Sequence, residues 1–284
     1  MGVAALGRTS SAAARGAGST GSTEEAVMRD AVRERIVEAT VFVGERILWR
    51  IERLIGKASL VGEATFFEPA DFAWTRRLED GWPAIRAELD RVLEDRELLP
   101  NFQDISVDQL SITNDDRWKT YFLYGYGFKS QANCDRCPET ARLCAEIPGM
   151  KTAFFSILSP QKHIEHHRGP YKGVLRYHLG LKIPEPSEGC RIRVADDVRH
   201  WSEGGSLVFD DTYDHEAWNE TDEVRVVLFV DFVRPLSFPV SAVNALILKA
   251  IAFSPFIGDA KRRQSDWERR FETLKARRAP AGVG

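Results

Sequence analysis

Leu175-Arg176-Tyr177-His178-Leu179-Gly180-Leu181-Lys182 alternates without interruption. Successive side chains of a strand point to opposite faces. Leu175, Tyr177, Leu179 and Leu181 therefore share one face, and Arg176, His178 and Lys182 share the other. Stretches of the same grammar lie on either side: Thr152 to Leu158 before it, then Cys190 to Val194, Ser206 to Phe209 and Val224 to Phe232 after it. Gly, Pro and Asp fill the gaps. Short strands at such close intervals predict a sandwich, a jelly roll or a barrel.

Upstream of Lys151 the pattern is mixed. Trp118 to Tyr124 is rich in strand formers and is followed by Gly125 and Gly127, which mark turns. Pro138 to Ala145 predicts a short helix opened by proline. Phe72 to Glu94 reads as one longer helix, with Leu78, Trp82, Ile85, Leu89 and Val92 on one face. Glu24 to about Lys57 has helical periodicity and carries Arg46, Arg50 and Arg53. Residues 1–23 are Ala, Gly, Ser and Thr with little to pack, and read as a disordered tail.

Downstream, Val243 to Ile257 is almost wholly apolar, interrupted by Asn244, Lys249 and Ser254-Pro255. Pro255 argues against one long helix there. Lys261-Arg262-Arg263 and Arg269-Arg270 make a basic end. Two readings follow: a helix packed on the core, or peripheral attachment to an acidic membrane surface.

The chain has 284 residues, 43% of them hydrophobic, enough for one large domain with appendages. A net charge of −3 gives no basic field to attract nucleic acid. No apolar run approaches the roughly 18 residues of a membrane span, and the N-terminus lacks the apolar core of a secretory signal. The expectation is a cytoplasmic protein, with the tail as its peripheral membrane contact in the alternative reading. Of the four cysteines, Cys134 and Cys137 have zinc or redox spacing. A zinc ribbon needs a second such pair, which Cys144 and Cys190 do not supply, so reduced thiols are expected.

All six histidines lie between His163 and His215. Histidine is the commonest metal ligand and titrates near neutral pH, so the chemistry is expected in this window. His163 and His167 would share a helix face, but Pro160 and Gly169-Pro170 bracket the stretch closely, and a loop into the Leu175 strand is expected. His215 ends a turn between two strands. Arg225 stands in an apolar strand, and a buried Arg is costly unless paired. Its partner is either Asp231 or Asp210, or a carboxylate-bearing ligand held bidentately. An iron oxygenase site usually has two His and one carboxylate. Gly169, two residues after His167, does not supply one.

From Ser156 to Pro235 the sequence resembles the aspartyl/asparaginyl β-hydroxylase family of Fe(II)- and 2-oxoglutarate-dependent dioxygenases. The resemblance is carried by His167-Arg168-Gly169-Pro170, Leu175 to Leu181, Gly189-Cys190-Arg191-Ile192, Trp201, Leu207 to Asp211, His215-Glu216-Ala217-Trp218-Asn219 and Arg225 to Asp231. It implies a mainly β fold with flanking helices and a double-stranded β-helix (jelly roll) core. It also implies two iron-binding His without a carboxylate, so Gly169 fits it. His167 and His215 match the iron ligands. Arg225 matches the residue that pairs with the far carboxylate of 2-oxoglutarate, and His178 and Ser156 match positions that help to hold it. Arg176 is expected to face substrate or cosubstrate. His163, His166 and His200 match no role.

The implied activity uses O2 to hydroxylate an unactivated C–H. The implied organisation is a tail (1–23), an amphipathic helix (24–60), the dioxygenase-like domain (61–236) and an apolar, basic helical tail (237–284). The family's substrates include the β-carbon of Asp or Asn in peptides and proteins and the fatty-acyl chain of membrane lipids. Pro170-Tyr171 and the apolar tail suit the lipid branch. Gly169 and the lack of a clear anchor set the balance on the peptide side. Two further readings are a non-catalytic module that binds a metal or an acid, and a redox function at Cys134 and Cys137.

Overall fold

The structure is a computed structural model that describes residues 49–106, 110 and 112–278. The tail expected over 1–23, and the helix expected from Glu24 as far as residue 48, lie outside the described residues. Helix α1 covers 49–58. Short strand β1 (Phe66–Phe67) is followed by α2 (Thr75–Asp80), α3 (Trp82–Leu93), α4 (Phe102–Ile105), β2 (Trp118–Gly125), β3 (Phe128–Lys129), α5 (Gln131–Arg136) and α6 (Pro138–Ala145). Eight strands come next: β4 (Met150–Leu158), β5 (Lys162–His167), β6 (Val174–Lys182), β7 (Cys190–Val194), β8 (Asp197–His200), β9 (Ser206–Phe209), β10 (His215–Asn219) and β11 (Arg225–Val233). Helices α7 (Val240–Ala252) and α8 (Pro255–Arg278) close the described chain.

The strands form two antiparallel sheets, ordered β1-β9-β6-β11-β4-β2-β3 and β5-β10-β7-β8. From β4 onward the chain alternates between them, with β4, β6, β9 and β11 in the larger and β5, β7, β8 and β10 in the smaller. That is the expected double-stranded β-helix.

The two faces of β6 show how the barrel is wrapped. Leu175, Tyr177, Leu179 and Leu181 are buried in one cluster with Ile85 and Leu89 of α3 and Ala141 and Leu143 of α6. The apolar face of this strand is thus turned outward under the helices, where each large side chain removed from water contributes about 1.5–3 kcal/mol. Arg176 and His178 are turned into the barrel. A second cluster, including Leu158, Val227 and Phe209 from one sheet and Ile164, Ile192 and Ala217 from the other, closes the space between the sheets.

Two expectations are corrected. Phe72 to Glu94 is not one helix: α2 ends before Gly81 and α3 starts with Trp82-Pro83. Pro83 has no N–H to continue the preceding helix and suits a first turn. A Cβ at Gly81 would lie 2.6 Å from Leu143 Cδ1, so a larger residue there would make Leu143 shift. His163 to His167 is a strand, β5, and not a loop. Gln161 takes φ 55° in the turn after Pro160, and the residues between that turn and Gly169 suffice for a strand, which pairs with β10.

The break expected at Ser254-Pro255 is present, and Pro255 opens the 24-residue α8. That helix buries Trp267 and Phe271 in the main core, and Trp267 Nε1 donates to the Leu98 carbonyl at 3.0 Å. All four cysteines are free and buried, and burial pushes the Cys137 thiol up to about 12.

Candidate active site

β5 and β10 are adjacent antiparallel strands, and their register sets His167 opposite His215. The two rings lie 4.1 Å apart, centroid to centroid. Each Nδ1–H donates to a backbone carbonyl two residues earlier, His167 to Glu165 at 2.7 Å and His215 to Tyr213 at 3.0 Å. A carbonyl only accepts, so both rings carry the proton on Nδ1 and leave the Nε2 lone pair free, the arrangement of a ligand fixed from behind. Burial, then the neighbouring His167 and Arg176, depress His215 to about 3. Burial also lowers His167. Both imidazoles are therefore neutral and available at neutral pH.

Among the described residues no third His, Cys, Asp or Glu completes a metal set. The reason is visible at Gly169. A Cβ there would lie 2.1 Å from Asp211 Oδ2, so the space a longer side chain would need is filled by another carboxylate. Asp211 forms an ion pair with Arg176, Oδ2 to Nη2 at 2.8 Å, and burial raises it to about 6. Arg176 Nε donates to Asp231 at 3.0 Å. The guanidinium of Arg176 thus lies inside the barrel, as expected, but held between two carboxylates and stacked 4.3 Å over Phe229. Neither Asp231 nor Asp210 pairs with Arg225.

Arg225 opens β11 and is 1% exposed. Its guanidinium lies 4.3 Å over the Trp201 ring, its Nε has no hydrogen-bond partner, and burial pulls it down to about 10. His178 is buried with both ring nitrogens unpartnered, and burial, then Arg176 and Arg225, drive it well below its ordinary value. Its ring is 5.8 Å from Trp201, whose Nε1 is also buried and unpartnered. On the neighbouring strands, Ser156 Oγ accepts from Trp118 Nε1 at 3.0 Å, and Thr120 Oγ1 opposite Ser156 is unpartnered. A buried polar group without a partner costs about 1–3 kcal/mol. Several of them near one buried cation make an arrangement with the capacity to hold an anion.

Sequence reasoning brought together His167, His215, Arg225, His178, Ser156 and Arg176, and the fold places all six on the barrel's inner side. It gave no role to Trp201, Asp211 or Thr120. The signal for Asp211 was the pair Asp210-Asp211 ahead of His215; Trp201 was a lone aromatic in a polar loop. The unmatched histidines are elsewhere. His163 stacks on Trp218 at 4.9 Å and meets Glu216 at 2.9 Å. His166 meets Asp214 at 3.3 Å, and His200 is exposed on β8.

Residues 79–235 match the family model "Aspartyl/Asparaginyl beta-hydroxylase". The chain belongs to the aspartyl/asparaginyl β-hydroxylase family. It is a hydroxylase of the dioxygenase type. It is 48% identical over 232 residues to the ornithine lipid ester-linked acyl 2-hydroxylase of Rhizobium tropici, a match covering 82% of each chain. It is 37% identical over 123 residues to mouse aspartyl/asparaginyl β-hydroxylase, covering 42% of this chain and 16% of that one. Among solved structures, a Pseudomonas putida prolyl-4-hydroxylase is similar with a TM-score of 0.36 and 16% identity, covering 54% of this hydroxylase and 87% of that chain.

Proposed function

We propose that this hydroxylase binds Fe(II) through His167 and His215 and 2-oxoglutarate through Arg225, and that it hydroxylates the fatty-acyl chain of a membrane lipid. The observation that carries the cofactor part is the buried, carboxylate-free Arg225 beside unpartnered His178 and Trp201. The residues fit the group: a dicarboxylate would give Arg225 the bidentate partner it lacks, and the free Nε2 atoms of His167 and His215 are what Fe(II) requires. When bound, iron and 2-oxoglutarate supply the oxidising power: O2 and 2-oxoglutarate are consumed, the substrate C–H becomes C–OH, and succinate and CO2 leave.

The chain's own residues position and protect. The carbonyls of Glu165 and Tyr213 hold the two rings in one tautomer. Arg225, His178 and Ser156 fix the far end of the cosubstrate. Phe209, Phe229 and Val227 keep water out. Arg176, clamped by Asp211 and Asp231, supports the wall beside the His pair, and its place in substrate contact is indirect.

The lipid substrate is supported by the relationship with the Rhizobium tropici enzyme, which spans most of both chains at 48% identity. The peptide reading, a β-carbon of Asp or Asn, is supported by the matches to the mouse and human β-hydroxylases, which cover 16% of those proteins.

The test has two stages. Anaerobic titration of Fe(II) into protein plus 2-oxoglutarate is expected to give a weak visible charge-transfer band that is lost in His215→Ala. Its absence in the folded wild type would overturn the cofactor assignment. Succinate release is then compared for ornithine lipid in mixed micelles and an Asp-containing peptide. Turnover of the peptide alone would replace the lipid reading.

A further inference from the structure

We propose that the outer face of α7, with Phe238 before it and Phe253 and Lys261 to Arg263 after it, docks on an anionic lipid bilayer. This rests on the lipid reading above. Phe238 is 83% exposed, Phe253 79%, Leu246 69% and Val243 51%. Val243, Leu246, Ala250 and Phe253 recur at three- and four-residue steps, so they lie along one side of the helix and its C-terminal end. Within α7 only Ser241, Asn244 and Lys249 are polar. A line of exposed large apolar side chains is an interaction surface.

Charge says what covers it. Between Lys249 and Arg263 there are four cations, Lys249, Lys261, Arg262 and Arg263, against one carboxylate, Asp259, and all are exposed. The whole chain carries a net charge of −3, so this end is basic against the general trend. An apolar face rimmed by cations suits the boundary between headgroups and acyl chains of an anionic leaflet.

No single helix among the described residues is long and apolar enough to cross a membrane. The α7–α8 pair passes by length and composition together but is bent by 51°. Beyond Phe256 the second helix carries many charges and is held on the core by Trp267 and Phe271. The geometry is that of a helix lying in the interface.

The inner face of α7 connects this surface to the site. Asn244 is buried, accepts from Tyr171 Oη at 2.7 Å and donates to the Gly173 carbonyl at 2.9 Å. Gly173 permits the approach, since a Cβ there would lie 2.0 Å from Asn244 Oδ1. Both partners belong to the 168–173 loop that leaves His167. The same loop is tied to the segment before His215: Gly169 N–H donates to the Asp211 carbonyl at 2.7 Å, and Arg168 Nε to the Thr212 carbonyl. The helix that would touch lipid is thus one hydrogen-bonded step from the loop that leaves His167 and two from the segment that leads into His215.

The experiment is co-sedimentation of the full chain with phosphatidylcholine vesicles, with and without phosphatidylglycerol. Binding is expected only with the anionic lipid. It should be lost in Leu246→Asp/Phe253→Asp and weakened about tenfold or more by Lys261→Glu/Arg263→Glu, or by raised salt. The α7 variant should keep the Fe(II)–2-oxoglutarate band, which shows that the site still folds. No sedimentation of wild type, unchanged binding by the α7 variant, or a shift in oligomeric state by light scattering in place of vesicle binding would overturn the proposal. Turnover of ornithine lipid in detergent micelles tests the substrate separately. Vesicle binding without such turnover removes the lipid substrate alone; turnover without vesicle binding removes the docking alone.

Discussion

Arg225 and Arg234 are both 1% exposed, and they differ in everything else. Arg234 pairs with Asp210, donates Nε to the Lys172 carbonyl at 3.0 Å, and reaches Ser59 Oγ and the Gly62 carbonyl at 3.3 Å. Asp210 is shared with Lys172 at 3.0 Å. Arg225 has the face of Trp201 and no carboxylate. One buried cation is paired within the folded chain, and the other has no carboxylate partner among the described residues. A buried Arg therefore says little until its partners are counted.

The comparison is broken most directly by exchanging the roles. Arg234→Met should cost up to about 3–5 kcal/mol of stability, because it breaks a buried ion pair and leaves Asp210 with Lys172 as its remaining cation, while 2-oxoglutarate affinity per folded molecule stays unchanged. Arg225→Met should do the reverse, lowering affinity by a factor of about 100 with stability held or raised. Urea unfolding and ligand titration on both variants read this out. Equal destabilisation by the two substitutions would end the distinction.

The metal-free protein should lose stability as pH falls. His167, His178 and His215 have folded values depressed below the ordinary 6.5, so below that pH the unfolded chain binds protons that the folded chain resists. Each contributes a slope of up to about 1.4 kcal/mol per pH unit, extending for His215 down to about 3. Asp211, raised to about 6, works the other way between 3.8 and 6. The three histidines outweigh it. Denaturant melts of the metal-free chain between pH 7 and 4 that show no decline would contradict the neutral state of the site.

Smaller effects sharpen the picture. Trp201→Phe keeps a ring beneath Arg225 but removes Nε1. It should weaken 2-oxoglutarate about three- to tenfold, the worth of roughly one hydrogen bond of about 1 kcal/mol. Cys134→Ser/Cys137→Ser should leave the turnover of folded protein within about twofold, since both thiols are buried and protonated. A large loss of turnover would bring back a redox role.

Most of the barrel was legible because β6 alternates with period 2, β11 is a continuous apolar run, and tertiary packing did not override either. The candidate site residues came from order along the chain, a His, a distant His and a strand-borne Arg, together with the family resemblance; that both His stand on adjacent strands came only from the fold. What stayed hidden was pairing across the fold. Spacing allowed Asp231 or Asp210 to neutralise Arg225, and only the register of β11 against β6 shows Asp231 opposite Arg176. The strand at His163 to His167 was hidden because its brackets were read as limits on a helix, when they fit a strand. The break at Gly81 was written in Pro83, which an apolar periodicity alone passes over.

The packing at Gly169 limits how this site can be re-engineered. Adding an acid to the proposed two-histidine set looks like a single edit, Gly169→Asp. The volume that edit needs already holds the carboxylate of Asp211, which in turn clamps Arg176. The substitution would evict one acid to admit another and release a buried cation beside the His pair. In this barrel the packing at Gly169, Asp211 and Arg176 is interlocked, and placing an acid beside the His pair changes all three together.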